Sequence, residues 1–309
     1  MKITVMGLGG IGGLLSGPLV RRYGGEVSLI ARGARAQHLR REGLTLHSDY
    51  FGEFTVRPAT VTADPAELPV QDLVIVCVKN GQLADAARQL APVVGPETVL
   101  LTVMNGVTAG DVLRRELGRG IVLESVIYTV ASAGRDFSIT QEGNFTHLFT
   151  GARGGDSAGG RAAAMVDSLF QEAGIDCRLT DDVDNAIWSK YVFNCAYNVA
   201  TARWGGAIGQ VQADEQRMAD CRALMAEARA VGVARGVNLP EDLVARQMRR
   251  IEKTAPDSAS SLRRDFAAKR PGELEVFCGD VVRMAAEAGV AVPVTAEYYR
   301  ALLDTAAKF

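Results

Sequence analysis

The sequence is poor in cysteine and histidine. Its five cysteines (Cys77, Cys177, Cys195, Cys221 and Cys278) are odd in number, widely spaced and without a Cys-x-x-Cys pair. That spacing argues against a disulfide framework and fits reduced thiols in a cytoplasmic protein. His38, His47 and His147 stand far apart, so no His/Cys metal site is expected. No apolar run approaches the roughly 18–20 residues that span a bilayer, so no membrane segment is expected. The start, Met-Lys-Ile-Thr-Val-Met-Gly, lacks the basic region, long apolar stretch and cleavage site of a signal peptide. A basic excess is missing too: 34 Lys and Arg against 36 Asp and Glu leave a net charge of −2, which argues against a general nucleic-acid binder. Ten prolines are too few for a Pro-rich disordered chain.

What is present is a globular pattern of 309 residues, enough for two domains at roughly 100–200 residues each. The first half alternates strand and helix signals. Lys2–Met6, Glu26–Ile30, Asp72–Val78 and Thr98–Val103 read as strands, and the near-continuous apolar runs suit parallel strands covered on both faces. Helical stretches follow Gly7–Gly12, fill Gln82–Val94 and surround residues 113–117. Gly43–Ala59 suggests a hairpin; Ile121–Ala131 and Asn144–Gly151 suggest further strands. This order predicts a doubly wound α/β domain over residues 1–180. Gly151–Gly160 reads as a surface turn. Beyond it, Arg161–Ala173 is helical and Ile175–Leu179 reads as a last edge strand. Residues 181–309 then form an all-α domain, with a long helix towards Ala202 and helical periodicity in Gln212–Gly232, Pro240–Lys253, Ser258–Ala268 and Glu273–Ala288.

Gly7-Leu8-Gly9-Gly10-Ile11-Gly12 is a Gly-x-Gly-x-x-Gly turn in its required setting, after a strand and opening a helix. Gly7 permits the tight turn, Gly9 lets the backbone approach a diphosphate, and Gly12 lets helix and strand pack closely. Free N–H groups at the helix start face the phosphates. At the end of the second strand an NAD site usually places Asp or Glu; here stands Arg32, whose guanidinium suits a 2′-phosphate, so NADP is expected over NAD. Arg35 reads equally as a second contact or as a solvated helix residue. The loops Val78–Gln82 and Met104–Val107 follow strands, where such folds line their ligand crevice. Lys79 and Asn105 read there either as ligand contacts or as ordinary turn residues.

Lys190, Asn194 and Asn198 recur at i, i+4 and i+8, on one helix face, among Trp188, Val192, Phe193, Cys195 and Tyr197. A lysine and two amides in apolar surroundings need polar partners, and a ligand with carboxylate, carbonyl and hydroxyl oxygens offers them. Farther on, Ser260-Ser261 and Glu273 sit at helix starts, where serines and acids serve as caps.

In order and spacing, these motifs resemble the ketopantoate reductase family, the NADPH-dependent 2-dehydropantoate 2-reductases of pantothenate synthesis, within the 6-phosphogluconate dehydrogenase-like superfamily. The matching positions are Gly7–Gly12, Arg32, Lys79 with Gln82, Asn105-Gly106, Trp188-x-Lys190-x-x-x-Asn194, Asn198, Ser260-Ser261 and Arg270-x-x-Glu273. The resemblance implies Lys190 as general acid and Glu273 as the second catalytic group. It implies Asn105, Lys190, Asn194, Asn198 and Ser261 as substrate contacts. Gly7, Leu8, Gly9, Gly10, Ile11, Gly12, Arg32, Lys79, Gln82, Asn105 and Glu273 are the implied contacts to NADP. The expected partner is a small 2-oxo acid, and a homodimer is left open. Where the family often has Asn-Gly after the helix, this chain reads Ala207-Ile208-Gly209; after Glu273 it has Glu275 and Cys278-Gly279. A different 2-oxo acid therefore stands as an alternative substrate; another dehydrogenase of the superfamily and a non-catalytic NADP-binding sensor are separate alternatives, the sensor disfavoured because it does not require Lys190, Asn194 and Glu273.

Overall fold

The structure is a computed structural model that describes residues 1–155 and 157–309. Two compact units divide the chain: Met1–Met104 with Thr108–Val183, and Asn105–Val107 with Asp184–Phe309.

Among its described residues the first unit contains ten strands: β1 (Ile3–Met6), β2 (Val27–Ile30), β3 (Leu44–Ser48), β4 (Gly52–Val56), β5 (Thr60–Thr62), β6 (Leu73–Val76), β7 (Val99–Thr102), β8 (Ile121–Ala133), β9 (Ile139–Gly151) and β10 (Asp176–Leu179). Its helices are α1 (Gly10–Tyr23), α2 (Gly33–Arg41), α3 (Leu83–Leu90), α4 (Ala109–Leu117) and α5 (Ser157–Glu172). Among the described residues the strands form one sheet in the order β4-β3-β9-β8-β7-β6-β1-β2-β5, with β10 paired to β9. β5, β2, β1, β6, β7 and the first part of β8 are parallel; β9 runs antiparallel to β8, and β4 antiparallel to β3.

The central strands are apolar throughout because both faces are covered. Ile3, Val5, Leu73, Ile75, Val99 and Leu101 point to one face, where they pack with Leu14, Leu15 and Leu19 of α1 and Val166, Leu169 and Phe170 of α5. Their alternates Val74, Val76, Leu100 and Val122 meet Leu83, Ala87 and Leu90 of α3 and Leu113 of α4 on the other. A strand's period of two thus builds two cores from one sheet, which makes the unit doubly wound.

Some elements differ from the sequence reading. Gly151–Gly160 is a turn only in part: Ser157–Gly160 already belongs to α5, where Gly159 is buried, so packing overrides the poor helix propensity of glycine. Asp156, within the same stretch, lies outside the described residues. The three-residue strand β5 escaped notice because Thr-Val-Thr is too short to show a period.

In the second unit, α6 (Val183–Trp204), α7 (Gly209–Gln212), α8 (Glu215–Ala234), α9 (Leu243–Lys253), α10 (Ser261–Ala267), α11 (Asp280–Ala288) and α12 (Pro293–Ala306) follow one another. α8 lies among α7, α9, α11 and α12. The sequence reading missed α12, although Pro293 stands at its first position, a place proline favours. Glu227 of α8 anchors that helix by accepting from Val294 N, Thr295 N and Thr295 Oγ1 at 2.9, 2.8 and 2.6 Å. Glu227→Ala leaves those donors without their carboxylate and is expected to lower the unfolding free energy by roughly 1–3 kcal/mol, read by urea denaturation. A loss within experimental error would remove Glu227 as the anchor of α12.

Candidate active site

In the first unit, β1 ends at Met6 and the chain turns through Gly7, Leu8 and Gly9 into α1. Gly7 adopts φ +97°, and a Cβ there would lie 2.5 Å from the Cys77 carbonyl carbon at the end of β6. A Cβ on Gly12 would meet the Gly7 carbonyl oxygen at 2.0 Å. These two glycines therefore set how closely the turn, α1 and β6 approach. Gly10 enters α1 where a Cβ would collide with the Ala131 carbonyl of β8. Gly9 is different: a Cβ added there meets nothing within 4 Å. Leu8 is buried beneath the turn, and Ile11 packs against the core.

The residues present fit the diphosphate of a dinucleotide. The space over Gly9 is clear, and the first N–H groups of α1 lie beside it without a side-chain cap or an acidic residue in the first turn. Arg32 stands at the end of β2 as the residue preceding α2; its exposed guanidinium donates to Gln89 Oε1. Lys79 and Gln82 occupy the short turn after β6, both exposed. Arg35, left open by the sequence, braces the turn: its guanidinium donates to the Leu8 carbonyl and lies 5.1 Å from the Phe137 ring centroid.

In the second unit, α6 carries Lys190, Asn194 and Asn198. Lys190 is half-buried, and the loss of water around its ammonium pushes its pKa down to about 8; the Glu273 carboxylate opposes that shift and the Arg250 guanidinium adds to it. Glu273 accepts from Asn105 Nδ2 at 2.8 Å. Asn105 lies in the loop after β7, where Gly106 at φ +92° permits the turn. Lys190, Glu273 and Asn105 thus come from three separate stretches of chain.

Asn198 is buried, and its Oδ1 accepts from Ser261 Oγ at 3.1 Å and Leu262 N at 3.3 Å. It therefore fastens the start of α10, while Ser260 caps that helix through Arg263 N and bonds Thr201 at 2.7 Å. Asn194, one turn nearer Lys190, is half-buried, and its side-chain amide makes no hydrogen bond among the described residues. Arg250 was missed by the sequence reading. It reaches the site because Gln247 docks α9 on the Ser189 carbonyl at 3.0 Å, which lays the Arg250 guanidinium 4.3 Å from the Phe193 ring centroid. Nothing in its local pattern marks it, since it is one basic residue among several on α9. Among the described residues no group of three or more His, Cys, Asp or Glu is placed to hold a metal, and no helix is long and apolar enough to cross a membrane.

A doubly wound sheet opened by a glycine turn, followed by a helical unit with a half-buried lysine, defines a class: an α/β chain of Rossmann type carrying an all-α C-terminal domain. The model of the ketopantoate reductase PanE/ApbA family matches residues 3–153, and its C-terminal counterpart matches residues 182–305. The chain belongs to the ketopantoate reductase family. It is 31% identical to the 2-dehydropantoate 2-reductase of Halobacterium salinarum, with 95% of each chain covered. It is 28% identical to that of Mesorhizobium japonicum, over 91% of this chain and 90% of the relative. A crystal structure of a PanE/ApbA family ketopantoate reductase from Ralstonia eutropha matches with a TM-score of 0.89 at 31% identity, covering 100% of this chain and 99% of the other.

The glycine turn makes a paired prediction. Gly12→Ala drives a methyl group into backbone and is expected to cost roughly 2 kcal/mol or more. Gly9→Ala loses only a favourable cap residue, under about 1 kcal/mol. Thermal unfolding of both variants checks the order, and equal losses would contradict the packing described.

Proposed function

We propose that the chain catalyses the NADPH-dependent reduction of 2-dehydropantoate (ketopantoate) to pantoate. The observation that carries this reading is Lys190, an ammonium shifted towards neutrality beside Glu273, in a chain of the ketopantoate reductase family.

Gly7, Leu8, Gly9, Gly10, Ile11 and Gly12 would hold the diphosphate of NADPH, with Arg32 on its 2′-phosphate and Lys79, Gln82, Asn105 and Glu273 as further contacts. When bound, the reduced nicotinamide supplies a hydride to the C2 carbonyl carbon of the 2-oxo acid. Lys190 stabilises the negative charge that grows on the carbonyl oxygen and gives it a proton. A pKa of about 8 suits that task, because the amine is mostly charged at neutral pH yet releases its proton readily. Asn105 holds Glu273 so that the carboxylate keeps Lys190 charged despite burial. Asn194, Asn198 and Ser261 orient the carboxylate and hydroxyl ends of the substrate. The protein is proposed to act in the cytoplasm, and a homodimer is compatible with this role.

One observation favours a second reading, a related 2-oxo acid as substrate: Ala207-Ile208-Gly209 offers no side-chain amide, and Ile208 is fully buried. Purified protein with NADPH, assayed at the nicotinamide absorbance band against ketopantoate and a panel of branched and unbranched 2-oxo acids, decides between the two. Oxidation of NADPH with none of them would refute both.

Lys190→Ala is expected to lower kcat by about 10²–10⁴-fold while leaving NADPH affinity nearly unchanged; equal losses in both would contradict its role as acid. Because only the charged amine carries the proton, kcat for reduction in the wild-type protein should stay level below pH 8 and fall as pH rises through about 8. A rate that climbs through that range would contradict the assignment. Arg32→Asp places a carboxylate where the 2′-phosphate would lie, and should shift preference from NADPH towards NADH by roughly tenfold or more, read as the ratio of kcat/KM values. Unchanged selectivity would take Arg32 out of the cofactor site.

A further inference from the structure

Glu273 stands two residues before an irregular turn. Residues Glu275–Gly279 form a π-helical turn that runs directly into α11. Such a turn contains one residue more than an α-helical turn and shifts the hydrogen-bond ladder by one place. In an α-helix the Asp280 N–H would bond the Val276 carbonyl; here it bonds the Glu275 carbonyl. A buried carbonyl deprived of its helical donor needs another. Tyr191 provides it: the hydroxyl donates to the Val276 carbonyl at 2.5 Å. Tyr191 is almost completely buried, at 1% exposure, and stands edge-on to Trp188. Burial also pushes its phenol well above the usual range, so the hydroxyl keeps its proton and remains a donor.

We infer that Tyr191 is a positioning residue, which stabilises the wide turn after Glu273 and thereby aims the Glu273 carboxylate at Asn105 and Lys190. This rests on the reading of Lys190 and Glu273 as the reacting pair. The reason is geometric. One residue of an α-helix is about 100° of rotation. If the turn relaxed to α-helical register, the backbone before it would rotate by that amount relative to α11, and Glu273 would swing away from Asn105. Phe277 N bonds the Glu273 carbonyl at 3.1 Å, so Glu273 is part of the same hydrogen-bonded ladder. Tyr191 follows Lys190 directly on α6. One stretch of helix therefore carries both the ammonium and the hydroxyl that controls the placement of its carboxylate neighbour. The charged groups acting on Lys190 are Glu273, from the segment before the turn, and Arg250, from α9.

The test removes one oxygen. Tyr191→Phe keeps the ring and its packing. The chain has six lysines, so ¹³C labelling at Cε gives few signals, and the Lys190 resonance is assigned by its loss in Lys190→Arg. Weakened contact with Glu273 removes the influence that raises the lysine, so its titration midpoint should fall by roughly 0.5–1 unit in Tyr191→Phe. In turnover, kcat should drop roughly tenfold, with a much smaller rise in the KM for NADPH, because Glu273 is only one of its several proposed contacts. Tyr191→Phe combined with Glu273→Gln should be no slower than Glu273→Gln alone, because the hydroxyl acts through that carboxylate. Phe277→Leu, a packing change in the same turn, should reduce stability and leave the Lys190 midpoint in place. An unchanged midpoint in Tyr191→Phe, additive losses in the double variant, or an equal shift in Phe277→Leu would each overturn the inference. The lysine titration needs no turnover, so a wild-type protein inactive on ketopantoate would refute the proposed reaction without touching this result.

Discussion

A positive charge held partly out of water is the constraint around which the helical unit is arranged. An ammonium in such a place loses hydration and drifts towards its neutral form unless an anion is fixed nearby. Lys190 has that anion in Glu273, and the two side chains come from stretches of chain about eighty residues apart. Asn105 then occupies one carboxylate oxygen, which orients the anion. Arg250 works in the opposite direction. The lysine is balanced by these opposed influences, and the balance keeps it charged yet willing to part with a proton.

Around α6 the polar residues fall into two kinds of work. Asn198 and Ser260 spend their hydrogen bonds on the start of α10 and hold that helix against the lysine helix. Asn194, between Lys190 and Asn198, keeps its amide uncommitted among the described residues. A row of amides that looks uniform by spacing therefore differs in its bonding: the Asn198 oxygen is engaged in scaffolding, and the Asn194 amide makes no hydrogen bond among the described residues. In the sheet unit a similar division runs through the glycines: Gly7 and Gly12 are small because backbone presses on them, and Gly9 is small beside open space.

Much of this was legible in the residues. The near-continuous apolar runs in Asp72–Val78 and Thr98–Val103 announced buried parallel strands, and the glycine turn announced the helix that follows β1. The i, i+4, i+8 spacing placed Lys190, Asn194 and Asn198 on one face. Less was legible where propensity and packing disagree. Ser157–Gly160 is composed like a loop and folds as helix because α5 covers the sheet. The wide turn at Glu275–Gly279 has no local signature, since its stability depends on a tyrosine eighty-odd residues earlier. Arg250 reads as a surface arginine, and only the docking of α9 on α6 brings its charge to bear on the lysine.

The amino-acid sequence by itself determined the alternation of strands and helices, the glycine turn with Arg32 beyond it, and the face shared by Lys190 and the two asparagines. These are local properties, set by side-chain period and backbone freedom within a few residues. Tertiary structure alone decided which carboxylate meets the lysine, which asparagine gives its amide oxygen to holding a helix, and that Arg35 braces the turn. Those outcomes depend on contacts between residues far apart in the chain, because hydration is lost and partners are gained only when separate elements pack together.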